Sequence, residues 1–252
     1  MLKYLPKMIF WNDTQTADIG WNIAADEALL VACEQGTLAE GRVLRLWRQR
    51  SWAVVMGASG KVGDEVYLNE CERLGVPVAR RSSGGGTVLL GPGTFCVSMI
   101  RPLSDFRLED RDVRTLQVLM LKELASAFSC VGLSLEVVAA GDWAIGGRKC
   151  AGSAQRRLKT HVMVHASILN RTDLKMISRL LPTPPRMPDY REGRRHADFL
   201  CNLDLDESQV IAGLERLAEE KKLGEIVHKA ISPLAESLAM ERFRLAEWTH
   251  RF

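Results

Sequence analysis

Between Ala79 and Ile100 the sequence reads ARRSSGGGTVLLGPGTFCVSMI, with two arginines, two serines and three glycines running straight into an apolar strand. Three consecutive glycines cost backbone entropy and supply no packing, and a plain hairpin needs at most one or two. With no Cβ in the way, main-chain N–H groups can turn toward an anion and form a nest. Arg80 and Arg81 add guanidinium groups suited to carboxylate or phosphate oxygens. Two familiar nucleotide patterns do not fit. The GxxxxGK run followed by Ser or Thr is absent, and a GxGxxG motif closes a strand and opens a helix, whereas this run opens a strand. A flexible hairpin with solvated arginines is the equal alternative on the motif alone.

A second constellation is AGDWAIGGRKCAGSAQRR, residues 140–157. Asp142 is a hard oxygen donor that could hold Mg²⁺ beside phosphates, or an ordinary turn aspartate. Lys149 follows a tight Gly-Gly turn and could set its ammonium against a ligand's carboxylate and phosphate; a solvated strand lysine is the plainer reading. If 148–151 is extended, Arg148 and Cys150 face one way, and Lys149 and Ala151 the other. Cys150 lies beside basic residues, the setting of a reactive thiolate, but free cysteine is among the most buried residue types, so packing is expected. In HVMVHAS, residues 161–167, His161, Met163, His165 and Ser167 share one strand face. Two histidines four apart on a strand stand about 13 Å apart, too far for a metal pair, so His165 and Ser167 are expected to be structural or to line a substrate.

These groups need elements to hold them. Residues 18–35 suit a helix with Trp21, Ala25, Ala28, Leu29 and Ala32 on one face and Gly36 as its stop. RVLRLWR (42–48) and AVVMG (53–57) read as strands, 65–75 as a helix ending at Gly75, and 76–81 as a short strand delivering the arginines. Ser83 to Ile100 reads as a glycine loop, a strand, a tight turn and a return strand. Val113, Leu116, Met120, Leu124 and Ala127 recur at helical spacing over 110–130. Further strands fall in 133–155 and 160–170. Four prolines make 180–195 a surface loop, and its Arg186, Arg191, Arg194 and Arg195 read as solvated, with steering of an acidic partner domain as the alternative. Asp206 with Gln209 three residues on reads as a capped helix start, and a terminal helix is expected from Pro233. Without regular βαβ alternation the expected class is α+β, with a mixed, largely antiparallel sheet.

Composition sets the outer bounds. The chain has 252 residues, 46% hydrophobic and 26% charged, enough for one large domain. The expected layout is a catalytic unit over 1–180, with a proline-rich loop and helices over 181–252 packed on the same domain. No apolar run reaches the roughly 20 residues a bilayer span needs, so no membrane role is expected. A net charge of +3 gives no footprint for nucleic acid. The six cysteines are scattered without a CxxC, as in reduced proteins without a zinc site. Pro6 and Lys7 interrupt the N-terminal apolar stretch, which is not expected to be a signal peptide; the expected location is the cytoplasm.

Taken in order, RRSSGGGTVLLGPGTFCVS, then GDWAIGGRKCAGSAQRR, then HVMVHASILN, the sequence resembles the lipoate–protein ligase family over about residues 10–175, with NIAADEALL, LRLWR and AVVMG matching its earlier elements. The resemblance implies a fold like the catalytic domain of biotin–protein ligases and class II aminoacyl-tRNA synthetases. It implies a reaction in which lipoate and ATP form lipoyl-AMP, with Mg²⁺, before the lipoyl group passes to a lysine of an acceptor domain. That acceptor would be the E2 of a 2-oxoacid dehydrogenase or an H-like protein of glycine cleavage. It assigns Lys149 to charge stabilisation between carboxylate and α-phosphate, and Arg80, Ser83, Gly84, Gly85, Gly86 and Thr87 to the adenylate loop. Gly152, Ser153 and Ala154 are placed on the lysine strand, His165 and Ser167 on the lining strand, and Asp142 against the metal or adenylate.

The sequence departs from the family pattern at Leu90–Gly91, where His-Asp is usual, at Thr94 for asparagine, and at Ala166 for glycine. About 70 residues follow the matched region, so an accessory subunit is one expectation. Related transferases that work through a cysteine thioester, without ATP, are the alternative, and only Cys150 could serve them. A non-catalytic binder of lipoate or acyl-AMP is the third reading.

Overall fold

The computed structural model describes residues 8–252 except 15–17, 40, 139–140, 185 and 219–222. The N-terminal segment discussed above and the end of the helix expected after Asp206 therefore fall partly outside the described residues. The chain opens with β1 (Ile9–Asn12) and α1 (Ile19–Glu34), capped by Asp18, which accepts from the Trp21 amide. Then come β2 (Val43–Arg48), β3 (Ala53–Met56), α2 (Val62–Glu65), α3 (Leu68–Arg73), β4 (Val78–Arg80), β5 (Val88–Leu90) and β6 (Thr94–Pro102). The middle holds α4 (Val113–Ser126), β7 (Glu136–Val138), β8 (Asp142–Ile145), β9 (Arg148–Arg157) and β10 (His161–Leu169). The chain continues through α5 (Leu174–Leu180), α6 (His196–Phe199), α7 (Glu207–Glu215), α8 (Gly224–Leu238) and α9 (Ala246–Thr249).

A seven-stranded sheet runs in the order β1–β2–β6–β10–β9–β8–β7, antiparallel apart from the β1–β2 pair. A second sheet runs β4–β3–β5, with β3–β4 parallel and β3–β5 antiparallel. The architecture is α+β with a mostly antiparallel main sheet, as the element order implied. Leu116, Met120 and Leu124 of α4 pack with Leu44, Val97 and Val164 on one face of the large sheet. Ala25, Ala28 and Leu29 of α1 cover Val43, Ile100 and Met163 on the other face, and Val227, Ile231 and Ala235 of α8 join that cluster. With a sheet on one side and α8 on the other, α1 is buried nearly all round, including Asn22, Asp26 and Glu27, and is not limited to one apolar face.

Several sequence expectations need correction. β5 and β6 do not pair as a hairpin: β5 pairs with β3 in the small sheet, while β6 lies between β2 and β10 in the large one. The turn between them passes the chain from one sheet to the other. Gly91 sits against the Trp52 ring, and Gly93, at φ +83°, accepts a hydrogen bond from the Asn170 amide. The helix expected over 65–75 is broken by extended Val66, whose side chain enters the small sheet's core, and the next amide, Tyr67, bonds the Leu180 carbonyl. Val113, at the first position of α4, is exposed. The terminal helix begins at Gly224 and carries Pro233 in its interior. The Asp206–Gln209 capping box forms as read.

Candidate active site

Two adjoining chambers lie between the glycine loop that follows β4 and the strands β9 and β10. The first, about 180 Å³, has apolar walls from Ile23, Trp47, Val55, Leu90 and Met163. The second, about 330 Å³, extends toward Ile177, Arg186, Arg191, His196 and Phe199. Gly86, Thr87, Asp142, Lys149, Ser153 and Ser167 border both. Lys149 and the end of the triple-glycine bend thus face the same cavity, although 62 positions separate Thr87 from Lys149 in the chain.

The two arginines before the glycines have different roles. Arg80 is fully buried and borders neither chamber. Its guanidinium donates to the carbonyls of Gly57 (3.0 Å), Gly60 (2.7 Å) and Thr249 (2.7 Å), so the expected adenylate contact is corrected to a clamp between the 57–60 loop and the C-terminal segment. Arg81 shapes the loop from inside. Nη2 donates to the carbonyls of Gly84 (2.5 Å) and Gly86 (2.9 Å), Nη1 to that of Val55, and Nε to Ser83 Oγ (3.0 Å). Burial lowers its pKa to about 10, which leaves it charged at neutral pH. Gly85 has φ +85°, and a Cβ there would crowd Arg81, while a Cβ on Gly57 would strike the Gly85 carbonyl at 1.9 Å. A Cβ on Gly84 or Gly86 would meet nothing within 4 Å. Of the three glycines only Gly86 borders the cavity; Gly84 and Gly85 shape the loop behind it. Thr87 Oγ1 donates to Glu65 (2.5 Å).

On β9 strict alternation fails. Trp143 pairs with Ala151 but Ala144 with Lys149, so one extra residue, Cys150, bulges from the ladder. Ala151 therefore joins Cys150 in the core, correcting the expectation that it shares the Lys149 face, and Lys149 instead lies beside Gly152, where a Cβ would meet Nζ at 2.9 Å. Cys150 is fully buried, bonds the Trp143 carbonyl, and has its thiol pushed up to about 12 by burial. It is a packing residue, not an available nucleophile. Lys149 Nζ lies 2.7 Å from Asp142 Oδ1, and the Tyr190 hydroxyl donates to Asp142 Oδ2 at 2.7 Å. Burial, followed by the Asp142 charge, raises the Tyr190 pKa, so its proton stays in place to make that bond. Lys149 is thus held by a carboxylate that is itself oriented by a phenol.

His165 meets the glycine loop directly, with Nε2 2.7 Å from Ser83 Oγ. Its Nδ1 lies 3.7 Å from Asp26 Oδ2, which also accepts from Ser98 Oγ at 2.8 Å. Asp26 Oδ1 pairs with buried Arg45 (2.7 Å), which also bonds Asp13 and stacks among Trp11, Trp21 and Trp47. Burial raises the Asp26 pKa, but the Arg45 charge together with His165 and Ser98 outweighs it and leaves the carboxyl below its usual range. Ser153 borders the cavity, but its hydroxyl is committed to the Gly141 carbonyl (2.7 Å) and accepts from Gln117 (2.8 Å). Gly152 and Ser167 border both chambers, and Ala154 borders the first. His161 is remote from His165's partners and pairs with Glu34.

The basic loop is not solvated throughout. Arg191 is buried and donates to the Arg194 carbonyl, while Arg194 donates to the carbonyls of Tyr190 and Gly147; both lie over the Phe199 ring. Arg186 is exposed at the rim of the second chamber, and Arg195 is paired with Asp198. His196 borders that chamber, and burial, then the charges of Arg191 and Lys149, lower its pKa to about 4, so it is neutral at pH 7. Asp26 and Arg45 lie in NIAADEALL and LRLWR, whose match to earlier family elements singled out no residue for the site, and Tyr190 and His196 lie in and beside the proline-rich loop, which carries no motif. Among the described residues no cluster of three or more His, Cys, Asp or Glu could cage a metal, and no helix is long and apolar enough to cross a membrane.

The chain as a whole is similar to known proteins. The family model "Lipoyl protein ligase A/B catalytic domain" matches residues 18–204. A probable lipoate-protein ligase A of Mycoplasma pneumoniae is 30% identical over 161 residues, 64% of this chain and 45% of that protein. The chain spans about half the length of the curated relatives it matches. Among solved structures, a bi-partite lipoate protein ligase of an archaeal lipoylation system, studied with its E2 lipoyl domain from Thermoplasma acidophilum, aligns with TM-score 0.78 and 21% identity, covering 98% of this chain and 97% of that one. A lipoate-protein ligase A bound with ATP aligns with TM-score 0.75 and 22% identity, covering 97% and 98%.

Proposed function

The chain belongs to the lipoyl protein ligase A/B catalytic-domain family, and from that premise we propose that it is an ATP-dependent lipoate–protein ligase. It joins lipoate to ATP, giving lipoyl-AMP and pyrophosphate, and passes the lipoyl group to the ε-amine of a lysine on an acceptor domain. The observation that carries this reading is the place of Lys149: one ammonium where an apolar chamber meets a chamber bordered by a glycine bend and arginines. The apolar walls suit the lipoyl chain, and the second chamber suits the adenylate. When the lipoate carboxylate attacks the α-phosphorus, negative charge gathers on the oxygens between them, and the fixed Lys149 ammonium stabilises it. Asp142 and Tyr190 hold that ammonium ready, so little reorganisation accompanies the step.

Mg²⁺ fits the donor set. It needs only one or two carboxylates when phosphates and water complete its shell, and each Asp142 oxygen keeps a lone pair beyond those engaged by Lys149 and Tyr190. Asp142 would hold the ion, which would supply neutralisation of phosphate charge. The acceptor is a lipoyl domain, of an E2 component or an H-like protein, a reading supported by the archaeal neighbour studied with its E2 lipoyl domain; the same neighbour's bi-partite make-up supports an accessory subunit. We read residues 181–252 as part of the same domain, with α8 packed on α1, and the protein as cytoplasmic. The test is pyrophosphate–ATP exchange. Exchange that requires lipoate is the expected result, and its absence with folded protein and accessory subunit present overturns the assignment.

A further inference from the structure

Ser83, His165 and Asp26 all border the apolar chamber, and the ligase reaction leaves them without a chemical task. Their geometry is directional. Arg81 Nε can only donate, and it points at Ser83 Oγ from 3.0 Å. The single hydroxyl proton of Ser83 is therefore free to point at His165 Nε2, 2.7 Å away. In that arrangement Nε2 is the acceptor and the ring proton sits on Nδ1, the atom facing Asp26 Oδ2 at 3.7 Å; in the other tautomer Nε2 donates to the second lone pair of Ser83 Oγ. Asp26 is fixed in turn by Ser98 and by the buried Arg45 guanidinium. The first arrangement gives a hydroxyl, an imidazole and an oriented carboxylate in the roles of a serine nucleophile, general base and orienting acid. One further feature favours an alkoxide here: the Arg81 guanidinium bonds directly to the oxygen that would develop negative charge.

We propose that Ser83, His165 and Asp26 form a nucleophilic relay that takes acyl groups from activated esters or thioesters without ATP, using the apolar chamber for the chain. This rests on the reading that the first chamber holds the acyl chain. Ser83 Oγ attacks the acyl carbonyl as its proton passes to His165 Nε2; the carbon–sulfur or carbon–oxygen bond of the donor breaks, and the leaving thiolate or alkoxide takes that proton. The acyl group is left as an ester on Ser83. Water then attacks that ester, giving a proton to His165, which returns it to Ser83 as the carboxylic acid leaves. The reaction is slow turnover of medium-chain acyl esters, or of acyl groups misdirected into the site.

The probe is p-nitrophenyl octanoate, given to the full chain in the absence of ATP. The expected result is a stoichiometric burst of p-nitrophenol and an added octanoyl mass mapped to Ser83. Ser83→Ala should abolish the adduct, and His165→Gln should slow acylation by about 100-fold or more. Because Ser83→Ala could disturb the loop that Arg81 organises, the wild-type chain is also treated with a fluorophosphonate, which should label Ser83 itself. No covalent adduct at Ser83 from either reagent, or hydrolysis unchanged in Ser83→Ala, overturns the relay. Lipoate-dependent pyrophosphate exchange, measured on the same preparation, separates the two readings: exchange without an adduct refutes only the relay, and an adduct without exchange refutes only the ligase.

Discussion

Replacing Lys149 with Met removes the ammonium and keeps most of the length of the side chain. The structure sets the cost to the fold. The ion pair with Asp142 is partly exposed, with side chains 28% and 14% accessible, and such pairs contribute up to about 1 kcal/mol. Asp142 keeps the Tyr190 hydroxyl, so it is not left a bare buried charge. For a chain of this size 1 kcal/mol corresponds to about 2–4 °C in Tm, which is the most the substitution should cost. The cost to chemistry is larger. One oriented donor at a developing charge typically contributes about 2.7–4 kcal/mol, a factor of about 100–1000 in rate. Lipoate-dependent pyrophosphate exchange should therefore fall by two to three orders of magnitude, with circular dichroism and Tm almost unchanged. Exchange within tenfold of the wild type would show that the ammonium does not touch the reacting oxygens. A fall in Tm of 10 °C or more would show that Lys149 serves the fold, and would undo the inference from its position.

The neighbouring Cys150 should behave in the opposite way: Cys150→Ala empties part of a packed core and should lower stability by about 1–2 kcal/mol while exchange activity persists, and a stable but inactive variant would return the thioester alternative. Gly85→Ala places a side chain at φ +85° and should lower stability by about 1–2 kcal/mol, whereas Gly86→Ala, where nothing lies within 4 Å, should leave Tm unchanged and weaken ATP binding; titration calorimetry beside thermal melts checks both. His196 has a folded pKa of about 4 against an ordinary value of 6.5. Its neutral form is favoured in the fold, so its contribution is present in full above pH 6.5 and is lost as pH falls from there toward 4. Urea midpoints followed over that window should fall less steeply for His196→Asn than for the wild type, and parallel curves would contradict the assignment.

How much of this was legible in the sequence depended on whether the signal was local. The ordered strands and the helices rest on period, on the cap at Asp206, and on stop glycines such as Gly36, all within a few residues of the element they define; the Asp18 cap of α1 is seen only in the structure. The bulge on β9 is different. Nothing in RKCAGSA says that Cys150 is the extra residue; the partner strand decides it, by pairing Ala144 with Lys149 and Trp143 with Ala151. Alternation gave the right face for Lys149 and Cys150 but the wrong one for Ala151. The split of β5 from β6 was hidden for a similar reason, since a hairpin and a crossover between sheets share the same turn residues.

Arg80 and Arg81 make the limit plain. They are adjacent, identical in chemistry, and equally suited on paper to an anion. β4 turns Arg80 away from the chambers into a ring of carbonyls, and Arg81, just past the strand, faces the glycine loop. There its guanidinium binds loop carbonyls and the Ser83 hydroxyl. A buried guanidinium must have its donors satisfied, and which carbonyls do so is settled by segments as distant as Thr249. Position along a strand therefore decided between an arginine that holds the C-terminal segment to the fold and one that shapes the site. Residue type suited both to an anion, and the family resemblance placed the first against the adenylate; in the structure only the second borders the cavity.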